Sequence, residues 1–379
     1  MRRALINARV LREGGFADGL AVVIAGDRIA AIIDRHALAA DIACEDLAGA
    51  MLAPGFIDTQ VNGGGGALFN ADPTVEAIRT IGAAHARFGT TGFLPTLISD
   101  DFDVIRAGIA AVDAAIEAGV PGVLGIHIEG PFINVARRGI HDAARIRVLD
   151  EEGLGVLTSL RRGRTMVTLA PELVDADMIR RLAAAGVVVS AGHTDATHAE
   201  VGAAIDAGLS GFTHLFNAMS QLGNREPGAV GAALESDRVW CSLIVDGFHV
   251  SPVTLRLALR CKPRERFVLV TDAMPITGSS RRDFMLHGRR ITARDGRLVA
   301  EDGTLAGSDL DMMAAVRNTH RLLGVPLEEA LAMASSAPAA MLGLKDVGTI
   351  TPGALASLVA IDPDLQVART WIAGREQPR

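Results

Sequence analysis

The chain has 379 residues, nearly half of them hydrophobic and 21% charged, with a formal net charge of −7. That length exceeds one small domain and suits a barrel with an accessory layer. The acidic balance argues against a nucleic-acid binder, yet permits an anionic small molecule held by a few local cations and backbone N–H groups. No apolar run reaches the length of a membrane span, and the two arginines near the start precede no apolar leader. Cys44, Cys241 and Cys261 lack metal-type spacing and read as buried thiols in a reducing cytoplasm.

Residues 1–52 read as short strands at 4–10, 19–24 and 28–33, broken by Gly14-Gly15 and Gly26-Asp27. They lie too close together for crossover helices, which predicts a small antiparallel layer. At Met51 the character changes. A buried strand over 52–58 runs into the glycines at 63–66. Helix patterns at 73–87, 102–118, 150–161, 174–185, 197–207 and 252–260 then alternate with apolar strands at 91–97, 123–129, 166–170, 187–192, 211–214, 240–246 and 267–272. Eight strands, counting 52–58, predict a closed parallel barrel over 53–345. A hairpin-like insertion at 284–299 turns at Arg294-Asp295-Gly296, and helices at 308–323 and 326–342 follow. The tail, 346–379, returns to short strands, so both ends are expected to pair into one small domain, 1–52 with 346–379.

Polar groups gather at the strand ends, where a parallel barrel keeps its chemistry. Asp58, Gln60 and Asn62 follow strand one, and His127 and Glu129 alternate onto one face of strand three. Glu172 follows strand four, and His193 and His214 end strands five and six. Asp246 and His249 follow strand seven, and Asp272 ends strand eight. One carboxylate and two imidazoles form a ligand set for a catalytic metal with an open position, suited to zinc or ferrous iron. Asp272 is then a carboxylate available as base and acid. Plainer roles suit other residues. His127 reads as a core histidine, and His36, His287 and His320 sit in surface-type contexts. His85 and His198 lie on helices, with His198 in reach of the loop rim. Glu172 is equally explained as a helix N-terminal carboxylate. The glycines at 63–66 read either as a phosphate cradle or as a mouth loop, and Arg137-Arg138 as a solvated pair.

The stretches GIHIEGPFIN, RRGIHD, SAGHTDA, THLFNAM, REPGAVGAAL, DGFHV, VTDAM and GTLAGS occur in this order. With them the chain resembles the amidohydrolase superfamily, and within it the branch that deacetylates N-acetylglucosamine 6-phosphate. The resemblance implies a (β/α)8 TIM-like barrel with a small β-sandwich domain formed by both termini. It implies hydrolysis of a sugar acetamide by metal-activated water. Glu129, His193 and His214 match the metal ligands, Asp272 the catalytic aspartate, and His141, beside Ile140, the partner of the substrate acetamide. Asn217, Ala218, Arg225 and the segment Asp246, Gly247, Phe248 and His249 match substrate contacts, with Arg225 and His249 near the phosphate. Leu305, Ala306 and Gly307 match a stretch lining the sugar pocket. Many relatives carry two histidines where Gln60 and Asn62 stand, and carboxamides ligate transition metals poorly. The expectation is therefore one divalent ion per subunit, zinc first and ferrous iron second. The resemblance also implies an amino-sugar phosphate as substrate and a cytoplasmic homodimer, with no nucleic-acid or membrane partner.

Overall fold

The computed structural model describes residues 2–378. Eight parallel strands follow one another in sequence order: β1 (Phe56–Val61), β2 (Thr90–Ile98), β3 (Gly125–Glu129), β4 (Arg164–Leu169), β5 (Val188–Ala191), β6 (Gly211–Phe212), β7 (Trp240–Leu243) and β8 (Phe267–Leu269). Just beyond β8 the ring closes onto β1: Asp272 N–H donates to Gln60 O at 3.0 Å and Asn62 N–H to Ala273 O at 2.9 Å. The strands are near-continuous apolar runs because helices cover their outer face. Phe93, Val167 and Val189 pack outward against Ile78, Ile105, Val112 and Ile179 of those helices. Side-chain caps fix where helices begin: Thr74 starts Val75–Ala86, and Thr197 with Glu200 forms a capping box on His198–Ala207.

The expected strand over 52–58 is two strands. Met51–Pro54 belongs to the accessory sheet and Phe56–Val61 to the barrel, with Gly55 between them. A Cβ on Gly55 would stand 2.2 Å from Thr91, so only glycine lets the chain cross here. The accessory sheet runs Arg375–Glu376, Val367–Ile372, Leu358–Ile361, Met51–Pro54, Arg2–Arg12, Gly15–Ala25, Arg28–Asp34, with Ala43–Asp46 beside Arg2–Arg12. It is mixed rather than antiparallel, since Arg2–Arg12 pairs parallel with both Ala43–Asp46 and Met51–Pro54. The insertion is a three-stranded sheet, Asp283–Leu286, Arg289–Arg294 and Arg297–Ala300, and its last turn does fall at Asp295-Gly296, both at positive φ. The predicted helix over 326–342 is two, Leu327–Met333 and Ser336–Met341; the Ser335 hydroxyl turns back to Leu331 O at the break. A helix not read from the sequence, Gly228–Glu235, is small or apolar and buried from Gly228 through Leu234, so it lacks a polar face and a visible period.

Two further readings are corrected. Of the three free cysteines only Cys241 is buried; Cys44 and Cys261 are exposed. The glycines at 63–66 form no phosphate cradle, because the N–H groups of Gly63, Gly65 and Gly66 donate to the carbonyls of Ala273, Thr277 and Pro275. His85 Nε2 holds Gly63 O at 2.9 Å. Among the described residues no helix is long and apolar enough to cross a membrane.

The seam between β1 and β8 contains a buried carboxylate. Asp58 accepts Thr271 Oγ1–H at 2.5 Å and the backbone N–H groups of Gln60 and Thr271. Burial outweighs these bonds and pushes the carboxyl up to about 7. An unfolded-state value near 3.8 means the folded chain holds the extra proton between the two values. Stability then falls as pH rises across that window, by about 1.4 kcal/mol per pH unit for one proton. Asp58→Asn is expected to flatten that decline in urea titrations of metal-free protein at pH 4.5 to 7; an unchanged slope would show that Asp58 does not take up the proton.

Candidate active site

Glu129 closes β3, and its side chain shares the barrel's inner face with His127 below it. His193 and His214 stand two residues beyond β5 and β6, and Asp272 three beyond β8. All three of these residues have positive φ, 49°, 35° and 52°. Side chains other than glycine adopt that region at a cost of about 1–3 kcal/mol each, and only where the surroundings dictate it. The strand ends therefore aim these groups inward before any ligand arrives.

Glu129 Oε1 lies 3.1 Å from His193 Nε2 and 2.8 Å from His214 Nε2, and the two nitrogens are 3.1 Å apart. Among the described residues these three form the cluster with metal-binding geometry. His193 Nδ1 donates to Arg137 O at 2.9 Å, which leaves the Nε2 lone pair facing the other ligands. Burial alone would raise the Glu129 carboxyl, but the two imidazoles outweigh it and hold it well below its ordinary value. Lone pairs from a carboxylate and two imidazoles meeting in a buried pocket suit a divalent cation of borderline softness.

The amides of strand one sit beside this cluster. Gln60 Nε2 donates to Glu129 Oε2 at 3.1 Å and to Asp272 Oδ1 at 3.2 Å, and Asn62 Nδ2 donates to the same Oδ1 at 2.7 Å. Gln60 thus stands between the two carboxylates, and Asn62 holds Asp272. Burial, then the Glu129 charge, pushes the Asp272 carboxyl up to about 7, suiting it to exchange protons near neutrality. Its Oδ1 is tethered, and Oδ2 is the oxygen left for chemistry. Gly307 N-terminal to Ser308 passes so close that a Cβ would meet Asp272 O at 2.7 Å, which requires glycine there.

His141 lies across the cleft, its ring centroid 4.4 Å from that of His193. Ser99 N–H and Oγ both reach His141 Nδ1, at 3.3 and 2.7 Å. The backbone N–H can only donate, so Nδ1 is the acceptor and Nε2 carries the proton. Burial, then the neighbouring His193, pulls the imidazole well below its ordinary value, which makes it a neutral donor.

A cleft of about 370 Å³ joins these groups, and Ile140, Asn217, Ala218, His249, Leu305 and Gly307 line it too. Asp246 stands behind His249, binding its Nδ1 at 2.6 Å and accepting the N–H groups of Phe248 and His249. Burial lowers the His249 imidazole, yet the Asp246 contact and charge outweigh it, leaving the pair favouring the charged form. Ala306 is fully buried behind the lining. Gly247 and Phe248 belong to the Asp246 turn, and Arg297 of the insertion stacks on the Phe248 ring at 4.9 Å. Arg225 stands apart, in an exposed loop outside the cleft.

Several groups escaped the sequence reading. Arg137 lines the cleft and pairs with Asp195 rather than with solvent alone. His287 is not a plain surface histidine: it is half-buried in a positive-φ turn of the insertion. Ser99, at the end of β2, had a legible position but no partner visible in sequence. His127 is a core residue, bonded to Thr168 Oγ1 at 2.8 Å.

Residues 51–376 match the model of the amidohydrolase family, and residues 4–52 that of the NagA composite domain. The chain is 41% identical to the N-acetylgalactosamine-6-phosphate deacetylase of Shewanella sp. (strain ANA-3), over 97% of this chain and 94% of the relative. Its structure superposes on the N-acetylglucosamine-6-phosphate deacetylase of Pasteurella multocida with a TM-score of 0.97 at 33% identity, covering 100% of both chains. A variant of the Mycobacterium smegmatis N-acetyl-D-glucosamine-6-phosphate deacetylase, solved with N-acetyl-D-glucosamine-6-phosphate, gives a TM-score of 0.92 at 34% identity over 100% of both chains.

Proposed function

Because the chain belongs to the amidohydrolase family, we propose that it hydrolyses the acetamide of N-acetyl-D-glucosamine 6-phosphate to D-glucosamine 6-phosphate and acetate, in amino-sugar catabolism or recycling. The observation that carries this reading is the convergence of Glu129, His193 and His214 beside an Asp272 carboxylate tethered through one oxygen. A single divalent ion on those three ligands, zinc or ferrous iron, would supply Lewis acidity at the scissile carbonyl. Asp272 takes a proton from the attacking water through Oδ2. His141 donates its Nε2–H to the carbonyl oxygen as negative charge builds there. The C–N bond then breaks, and Asp272 returns the proton to the leaving amine nitrogen. The strand ends already aim Glu129, His193, His214 and Asp272, and Ser99 holds His141, so little reorganisation accompanies reaction.

The phosphate reading depends on Arg225. Arg137, the arginine lining the cleft, is engaged by Asp195. Arg225 projects from an exposed loop beside Leu222, which is 62% exposed. In a cytoplasmic homodimer, Arg225 of one subunit meets the phosphate in the other's cleft, alongside His249. Arg225→Ala is expected to lose about 2–3 kcal/mol on the phosphorylated sugar, roughly thirty- to 160-fold in kcat/KM, and little on the free sugar. Equal losses on both would remove Arg225 from the phosphate site.

The Shewanella relative favours a second reading, the galactosamine epimer. Acetate release from both N-acetylhexosamine 6-phosphates separates the two. A higher kcat/KM for the glucosamine epimer supports the first reading, the reverse order supports the second, and no acetate from either refutes both.

A further inference from the structure

Glu172 lies in the short turn Pro171–Leu173 after β4, outside the lining of the cleft. The partners of its carboxylate lie outside that turn. The carboxylate collects three donors from two other loops. Oε1 accepts Asn134 Nδ2–H at 2.9 Å and Asp195 N–H at 2.7 Å, and Oε2 accepts the Thr194 hydroxyl. Asn134 belongs to the loop after β3, and Thr194 and Asp195 directly follow His193.

The same two loops meet again around His193. Asn134 N–H donates to His193 O at 2.8 Å, His193 Nδ1 donates to Arg137 O at 2.9 Å, and the Arg137 guanidinium pairs with Asp195 at 2.7 Å. Thr194 extends the link to the loop after β6: its N–H donates to Ala218 O at 3.1 Å, and its carbonyl accepts Ser220 N–H at 3.0 Å. His193 itself sits at φ 49°, a conformation that persists only where its neighbours fix it.

We propose that Glu172 is a positioning residue for the metal site: its carboxylate, clasped by Asn134, Thr194 and Asp195, holds His193 in its ligating orientation. This rests on the reading that Glu129, His193 and His214 hold a divalent ion. Three donors converge on Glu172, and a carboxylate offers acceptor oxygens to them all. A glutamine would keep one oxygen for Asn134 and Asp195 but turn an N–H toward Thr194, whose hydroxyl would have to reverse from donor to acceptor, and an alanine would satisfy none.

Groups that orient a ligating histidine typically contribute ten- to hundredfold to metal affinity. The test is the affinity of metal-stripped protein for Zn²⁺, by competition with a chromophoric chelator, for wild type, Glu172→Ala and Glu172→Gln. Glu172→Ala is expected to bind Zn²⁺ roughly ten- to hundredfold more weakly and Glu172→Gln roughly threefold or more. Excess metal should restore most of the kcat, with KM little changed. Should the alanine variant fail to fold, the glutamine variant decides the matter by the same criterion. Wild-type Zn²⁺ affinity in whichever variant folds would overturn the proposal. Failure of the wild type itself to bind Zn²⁺ would instead refute the metal site on which it rests.

Discussion

Asp272→Asn is expected to keep the fold and the bound metal while losing at least about a thousandfold in kcat, or roughly 4 kcal/mol. The side chain accepts Asn62 Nδ2–H and Gln60 Nε2–H on Oδ1, and an asparagine oxygen can take both bonds. If Asp272 served only to tie β8 to β1, the amide would therefore preserve most of the activity. An amide neither accepts a proton from water nor returns one to an amine. Burial and the Glu129 charge push the Asp272 carboxyl up to about 7, where both directions of transfer are within reach. Substrate contacts elsewhere in the cleft are untouched, so KM should change much less than kcat. Metal content and steady-state kinetics on one preparation decide the case. A fully metallated variant within tenfold of wild-type kcat would exclude Asp272 as the proton shuttle. Loss of metal along with activity would make it a fourth ligand.

Glu129→Ala is the other change with a very large expected effect. Glu129 Oε1 is the point on which both imidazoles converge, at 3.1 and 2.8 Å. Its removal leaves two imidazoles and no anionic ligand, a set far weaker for a divalent ion. Elemental analysis should find about one ion per wild-type chain and under a tenth of an ion in the variant. Activity should fall at least about a thousandfold, a loss of roughly 4 kcal/mol. Two ions per wild-type chain would contradict the role given to Gln60 and Asn62, whose N–H groups face the carboxylates. Full metal retention in the variant would move the site elsewhere.

The barrel was legible because its strands are largely apolar runs and the charged groups and imidazoles at their ends stand out against them. Glu129, His193, His214 and Asp272 could be picked by that contrast, and the structure brings them together. The break at Gly55 was not legible, since it depends on how closely Thr91 approaches from the next strand. The same limit hid the helix Gly228–Glu235, which is buried on all sides and so has no polar period. Arg137 and Glu172 acquire their places through a carbonyl and through loops that meet only in three dimensions. No spacing along the chain encodes such meetings. Arg225 marks the opposite case, a residue selected by motif that lies outside the cleft.

The most direct test of the account is acetate release from N-acetyl-D-glucosamine 6-phosphate by one preparation before chelation, after chelation and after reloading with a single equivalent of Zn²⁺ or Fe²⁺. The expected result is turnover that vanishes with the metal and returns at about one equivalent per chain. Undiminished acetate release from thoroughly stripped protein, or none from the fully loaded protein, would contradict it.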